Sequence, residues 1–159
     1  MPAIDFDTWM ALERLYVQYA QIVDEARWDE WVNCFAEEAE YKIQPRENFE
    51  RGFPLATLSL TSRGMLKDRA YGITNTLFHD PYYQRHVVSA PLVTGVVDGV
   101  IHAEANYAVF RTKLDGQSTV FNVGRYLDQV VRTPEGLRFA KRWCIFDSEM
   151  IPNSLIYPI

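Results

Sequence analysis

A change of residue pattern near position 83 constrains the fold of this 159-residue chain most strongly. Before it, apolar residues recur at spacings of three and four. After it, apolar and polar residues alternate within long stretches. The first spacing is the period of an amphipathic helix, and the second is that of a half-buried strand. Helices followed by a run of strands favour an α+β fold over repeated βαβ units.

Three helices and two short strands are predicted in the first half. The first helix, residues 6–23, carries Phe6, Trp9, Leu12, Tyr16, Tyr19 and Val23 on one face. A shorter helix begins near residue 28, and a third covers 63–77, capped by Ser62. Short strands at 40–44 and 55–60 flank a predicted loop at 45–54.

Four β-rich stretches follow, at 86–97, 100–113, 118–132 and 137–150, separated by glycine-containing turns. In 100–113 the apolar residues share one face, namely Ile101, Ala103, Ala105, Tyr107 and Val109. We predict a curved, mostly antiparallel sheet wrapped over the helices, forming a cone with an inner cavity. The length suits a single domain over 1–159.

The stretch from Phe139 to Ile159 begins as a strand and then becomes apolar, with no charge after Glu149. Burial of each apolar side chain is worth roughly 1.5–3 kcal/mol over exposure. We therefore expect this segment to pack into a core or against a partner.

Composition excludes several classes of function. The net charge is −5, and no basic run is present, which argues against nucleic acid as a partner. No window approaches the ~18 apolar residues that span a membrane, and no signal peptide is recognised. Cys34 and Cys144 are interpreted as buried small apolar residues rather than a disulfide, which predicts a cytoplasmic protein.

Metal ligands are sparse. His79 and His86, with Asp80 or Asp147, offer in principle a two-histidine, one-carboxylate iron site. His102 is interpreted as a sheet residue. A Rieske cluster needs two Cys and two His, and the two cysteines here have no neighbouring histidine. The residue pattern therefore favours no metal site in this chain.

An acid–base site is the alternative hypothesis. A cone lined by Tyr16, His86 and Asp147, with further tyrosines, provides a proton donor and a base. The competing interpretation is a buried histidine held by a carboxylate or a backbone group.

Charged residues along the strands, among them Arg138, Lys141 and Arg142, are interpreted as a solvated face. The Tyr82–Arg85 segment is richer in residue types typical of interfaces. The predicted interface residues are Tyr82, Tyr83, Arg85, Ser154, Leu155, Ile156 and Tyr157.

Several motifs together resemble one family. They are L-Y-V-Q-Y-A-Q-I-V-D with W-D-E-W-V-N-C-F, then P-R-E-N-F-E, H-D-P-Y-Y-Q-R-H-V-V and F-D-S-E-M-I-P-N-S-L-I-Y-P-I. The chain resembles the small (β) subunits of aromatic-ring-hydroxylating Rieske non-haem iron oxygenases, which have an NTF2/SnoaL-like cone fold. The first motif pair is shared by many cone-fold proteins, whereas the later ones are more specific.

The resemblance implies a non-catalytic structural subunit with no catalytic, cofactor-binding or metal-binding residue of its own. It places the Rieske [2Fe-2S] cluster and the mononuclear Fe(II) in a large (α) subunit of an α3β3 assembly. A ferredoxin and an NAD(P)H reductase supply the electrons. The implied reaction is hydroxylation of an aromatic acid with O2, most similar to the conversion of salicylate to gentisate. One alternative is the β subunit of a dioxygenase that acts on another aromatic acid. Another is a free-standing SnoaL-like isomerase or dehydratase that uses Tyr16, His86 and Asp147, and a ligand-binding or purely structural cone-fold protein is a third class.

Overall fold

The computed structural model describes residues 4–150 and 155–159. Within that part, helices occupy Phe6–Asp24 (α1), Trp28–Asn33 (α2), Arg46–Glu50 (α3) and Arg63–Asn75 (α4). The strands are Phe35–Pro45 (β1), Leu58–Leu60 (β2), Tyr82–Val88 (β3), Leu92–Val97 (β4), Val100–Lys113 (β5), Thr119–Thr133 (β6) and Gly136–Phe146 (β7). None of these helices is long and apolar enough to cross a membrane.

Helix α1 forms where the apolar spacing predicts it. Asp5 caps its start, because Asp5 Oδ1 accepts a hydrogen bond from the Thr8 backbone N–H at 2.7 Å. On the predicted face, Leu12, Tyr16, Tyr19 and Val23 are buried, Trp9 is half-buried and Phe6 is exposed. The buried face of α1 therefore supplies one wall of the core.

The seven strands form one sheet in the order β2-β1-β7-β6-β5-β3, with β4 also paired to β5. All pairs are antiparallel except β1 with β7, which run parallel. The prediction of an α+β fold with a mostly antiparallel, curved sheet is thus confirmed. The parallel pair joins the N-terminal half of the chain to its last strand.

Two local predictions are wrong. Residues 46–50 form α3 inside the predicted loop, and the exposed Arg46–Glu50 ion pair at 2.8 Å spans one turn of it. The predicted strand 86–97 is two strands, β3 and β4, which pair with successive parts of β5. The break between them contains Pro91, which has no backbone N–H to donate to a ladder.

The interior of the cone is filled. Aromatic side chains of the helices and strands meet there edge to face, as Tyr19 and Phe139 do with ring centroids 5.7 Å apart. Leu155 and Ile159 are buried in the same core cluster. The expected inner cavity is therefore occupied by the chain's own residues 155–159.

Candidate functional site

A buried ion pair lies at the centre of the cone. Arg142 on β7 donates from Nε to Asp128 Oδ1 at 3.1 Å and from Nη2 to Asp128 Oδ2 at 2.7 Å. The Tyr16 hydroxyl on α1 donates to the same carboxylate. The side chains of Arg142 and Asp128 have no exposed surface. This network links the first helix to the last two strands.

Aromatic rings enclose the Arg142 guanidinium. Its central carbon lies 3.9 Å from the ring centroids of Tyr126 and Phe139, and 4.2 Å from that of Tyr19. Ring faces attract a cation, most strongly where water is excluded. Arg142 Nη1 has no hydrogen-bond partner among the residues that the structure describes, so the rings provide its remaining stabilisation.

Burial and the neighbouring charges shift the pKa of each group in this network, and burial raises that of the Asp128 carboxyl. Burial lowers the pKa of the Arg142 guanidinium, but the Asp128 carboxylate raises it well above its ordinary value. Burial, then the Asp128 charge, raises the pKa of the Tyr16 hydroxyl well above its usual range. Arg142 therefore stays a cation and the Tyr16 hydroxyl stays a neutral donor. In these states the two side chains hold the fold together.

His86 has a different partner from the predicted one. Its Nδ1 lies 2.6 Å from Asp24 Oδ1, and its backbone N–H donates to both Asp24 carboxylate oxygens at 3.0 and 3.1 Å. The His86 imidazole is buried, and its Nε2 has no hydrogen-bond partner within residues 4–150 and 155–159. Asp24, the last residue of α1, thereby ties that helix to β3.

The predicted constellation of Tyr16, His86 and Asp147 is brought together only in part. Tyr16 and His86 both line a groove of about 320 Å³ between α1 and β3. The Tyr16 hydroxyl, however, is bound to Asp128. Asp147 is exposed after β7, and its carboxylate lies 3.5 Å from Arg46 Nη1. Tyr16, His86 and Asp147 therefore each bind a different residue and do not form one site.

The sequence interpretation missed Asp24, Asp128 and Arg142. Arg142 was assigned to a solvated face, and the reason is a β-bulge. Val130 pairs with Phe139 while Gln129 pairs with Lys141, so Ala140 has no partner on β6. The extra residue reverses the alternation, and Arg142 points inward. The sequence does contain a signal for the burial of Asp128. It lies two residues from Tyr126 and from Val130, which are buried on the same face of β6.

Side chains of α1, α4, β1, β3 and β7 hold residues 155–159, among them Cys144, whose Sγ lies 3.5 Å from the Ile159 carbonyl oxygen. Arg69 Nη2 donates to the Leu155 and Ile156 carbonyl oxygens at 3.0 and 2.6 Å, and Gln84 Nε2 donates to that of Pro158 at 3.2 Å. The Tyr19 and Tyr41 hydroxyls donate to the Ile159 carbonyl oxygen at 2.8 and 2.9 Å. The segment is anchored along its whole length.

The predicted interface residues lie in different environments. On β3, Tyr83 and Arg85 are exposed, whereas Tyr82 is half-buried with its ring 4.5 Å from that of Tyr157. Leu155 is buried in this chain's own core, and Ile156 and Tyr157 are half-buried. Ser154 lies outside the described residues. Whether these residues contact a partner stays a prediction.

No group of three His, Cys, Asp or Glu side chains converges as a metal ion would require, within residues 4–150 and 155–159. Both cysteines are free and buried, as predicted. His86 is engaged by Asp24, and the His79 Nε2 lies 2.8 Å from the Tyr157 hydroxyl. The residues present therefore do not fit a Rieske cluster or a mononuclear iron, and we derive no iron-dependent step from them.

Comparison with known proteins gives consistent matches. The SnoaL-like domain family matches residues 10–143. The anthranilate 1,2-dioxygenase small subunit of Burkholderia cepacia is 34% identical over 155 residues, covering 98% of this chain and 96% of that protein. A Comamonas terephthalate 1,2-dioxygenase β subunit is 23% identical over 141 residues, covering 89% of this chain and 92% of that protein.

A solved structure is similar over the same extent. It is assigned as the β subunit of an aromatic-ring-hydroxylating dioxygenase from Novosphingobium aromaticivorans. The TM-score is 0.86 and the identity 31%, covering 94% of this chain and 95% of that one. The similarity thus extends over the helices, the sheet and most of the core.

Proposed function

Because this chain belongs to the SnoaL-like family and, within it, to the small subunits of aromatic-ring dioxygenases, we propose that it is the structural subunit of a multi-subunit aromatic-ring oxygenase. The observation that carries the proposal is the 34% identity to one such small subunit over 98% of this chain. Its partner is a large subunit, in which the oxidation takes place.

The interior supports a structural role. Its charged groups bind one another, and residues 155–159 fill the space where an acid–base enzyme of this shape would need a substrate. In this proposal the Rieske [2Fe-2S] cluster and the mononuclear Fe(II) belong to the large subunit. A ferredoxin and an NAD(P)H reductase deliver electrons to an α3β3 complex in the cytoplasm, where the free thiols of Cys34 and Cys144 stay reduced.

An aromatic acid is the proposed class of substrate. The names of the relatives specify anthranilate, terephthalate and 2-aminobenzenesulfonate, each an aromatic ring with an acidic substituent. The motifs described above favour salicylate 5-hydroxylase, a monooxygenase that forms gentisate. The identity to the anthranilate enzyme's subunit favours a dioxygenase acting on anthranilate. Turnover of the assembled complex on each acid distinguishes these two reactions.

Affinity capture tests the proposal. A tagged copy of this chain is purified from its native host grown on salicylate or anthranilate. We expect a red-brown eluate with a larger iron-bearing subunit and the visible absorption of a Rieske cluster. Salicylate and anthranilate are then assayed with the complex. A colourless, iron-free chain that elutes alone would contradict the proposal and return attention to the groove beside His86.

A further inference from the structure

The outer face of the sheet, which points away from the core, has a polar half and an apolar half. One row of directly paired residues across β5, β6 and β7 consists of His102, Gln129 and Lys141. Such polar residues are usual on the face of an antiparallel sheet that is turned to water. Further along β5, from Ala108 onward, the same face becomes apolar.

Strand pairing brings six apolar side chains together in that half. Val87 on β3 pairs with Ala108 on β5, which pairs in turn with Val123 on β6. In the next row Phe110 pairs with Val120. Directly paired residues of antiparallel strands lie side by side on one face. We call this group the outer patch, and it consists of Tyr83, Val87, Ala108, Phe110, Val120 and Val123.

The outer patch is open to solvent in this chain. Tyr83, Val87, Val120 and Val123 are all exposed, and Val87 is 59% exposed. A contiguous group of exposed apolar side chains is typical of a protein–protein contact. Because hydrogen bonds to the neighbouring strands already fix this backbone, binding a partner would order little further chain.

Arg85 places one cation inside this apolar surface. It lies between Tyr83 and Val87 on the outward side of β3, and its side chain is 77% exposed. Among the described residues, the carboxylate within 4.0 Å of it is Asp24, at 3.9 Å. That carboxylate is buried and already bound to His86. An arginine at an apolar contact is a strong donor to a partner's carboxylate.

A second copy of this chain does not offer that carboxylate from the same surface. The strand segments that form the patch, residues 83–87, 108–112 and 120–123, contain no Asp or Glu. In a two-fold contact each patch would meet itself. The Arg85 side chains of both copies would then lie in the contact without a counter-ion, which disfavours it.

We infer that the outer patch binds the large subunit, through an apolar surface that carries a carboxylate opposite Arg85. This inference rests on the proposed function, which supplies a partner chain different from this one. The valines of the patch form the dry centre of the contact, and Arg85 forms its charged contact.

Lysine substitutions test the apolar part. In the native host, the gene for this chain is replaced by tagged versions, and the large subunit recovered with each version is quantified. Val87→Lys on β3 and Val120→Lys on β6 should each reduce recovery at least about tenfold, because a charge is placed in the dry centre. Val97→Lys is the matched control: Val97 is 58% exposed on β4, outside the patch, and recovery should not change.

Charge substitutions test the role of Arg85. Arg85→Glu should reduce recovery, because it opposes the partner's carboxylate with a like charge. Arg51→Glu is the control, since Arg51 is 63% exposed and lies beyond the end of α3. The loss caused by Arg85→Gln should become smaller at high salt, because salt screens the attraction that the native arginine provides.

The possible outcomes separate this inference from the proposed function. Each variant changes an exposed side chain, so the melting temperature of the purified chain should stay native. If the native chain recovers no large subunit, the proposed function fails. If the native chain and both patch lysine variants recover it equally, the function stands and the outer patch is not the contact. A native chain that sediments as a dimer, which Val87→Lys dissociates, would assign the patch to a second copy and overturn the inference.

Discussion

Among single residues, Arg142 is held by both an ion pair and a set of aromatic rings. A guanidinium with no exposed surface loses its hydration, and the loss must be compensated by ion pairing and hydrogen bonds. Asp128 supplies two hydrogen bonds as acceptor, and four aromatic rings face the cation. The role of this network is to fix the packing of α1 against β6 and β7.

Replacement of Arg142 by methionine should destabilise the protein strongly. The change leaves the Asp128 carboxylate buried without its cation, which is expected to lower the free energy of unfolding by roughly 3–5 kcal/mol. Chemical denaturation measures the loss.

The double variant Arg142→Met, Asp128→Leu removes both charges and should recover much of that loss. Arg46→Met is the matched control, since it breaks an exposed ion pair with Glu50, and stability should hardly change. If the single Arg142 variant were as stable as the native chain, the buried pair would have no structural role.

The buried thiols predict loss of stability at alkaline pH. Burial raises the pKa of Cys34 from 9.0 to about 11 and that of Cys144 to about 12. The folded chain therefore retains protons that the unfolded chain loses above pH 9. Stability should fall from about pH 9 toward pH 12, by up to about 1.4 kcal/mol per pH unit for each thiol.

Urea unfolding at pH 8, 9 and 10 measures this slope. Cys144→Ala removes one of the two thiols, so its free energy of unfolding should decrease less steeply with pH than that of the native chain. The comparison uses slopes, so the loss of packing at neutral pH does not affect it. Identical slopes for the two proteins would contradict a buried, protonated Cys144.

At the scale of secondary-structure elements, the contact of β6 with β7 depends on one glycine. A Cβ atom at Gly124 would lie 2.0 Å from the Ile145 carbonyl oxygen and 2.8 Å from the Phe146 Cα. Both are backbone atoms, which cannot move aside as a flexible side chain would. The close approach of the two strands therefore requires glycine at this position.

Gly124→Ala should consequently disrupt the sheet. We expect the free energy of unfolding to fall by about 3 kcal/mol or more, as measured by chemical denaturation. Gly95→Ala on β4 is the control, because a Cβ there meets no atom within 4 Å, and its effect should stay within about 0.5 kcal/mol. Equal stability of the two variants would show that β6 and β7 can separate without cost.

For the molecule as a whole, the core is filled by its own side chains. A contact with a partner subunit therefore has to use the outer surface. Residues 155–159 pack against this chain's own core. Tyr83 and Arg85 remain exposed on β3, at the edge of the sheet. We therefore propose that this face contacts the large subunit, as the sequence analysis predicts for Tyr83 and Arg85.

Tyr83→Ala should reduce recovery of the large subunit in the affinity capture, because exposed tyrosines often dominate interface energies. Tyr71→Ala is the matched control: Tyr71 is 63% exposed and Tyr83 66%, but Tyr71 lies on α4. Both variants should keep the native melting temperature. Undiminished capture by the Tyr83 variant would exclude this face as the interface.

The class of fold and most of the helices and strands follow from the residue pattern alone. Local periodicity predicts α1, α4 and the long strands, because the formation of a helix or a strand depends on neighbouring residues within the same segment. The alternation in β5 correctly placed Ala103, Tyr107 and Val109 inside. The resemblance of the motifs also identified the family that the comparisons later matched.

The contacts of the interior, by contrast, are set by the three-dimensional fold. The bulge at Ala140 turns Arg142 inward, and Asp24, not Asp147, pairs with His86. Such contacts join residues far apart in the chain, and local patterns carry no information about them. The expected cavity is likewise filled through contacts between residues far apart in the chain. An apolar segment must be buried somewhere, but the donors of Tyr19 and Tyr41 decide where.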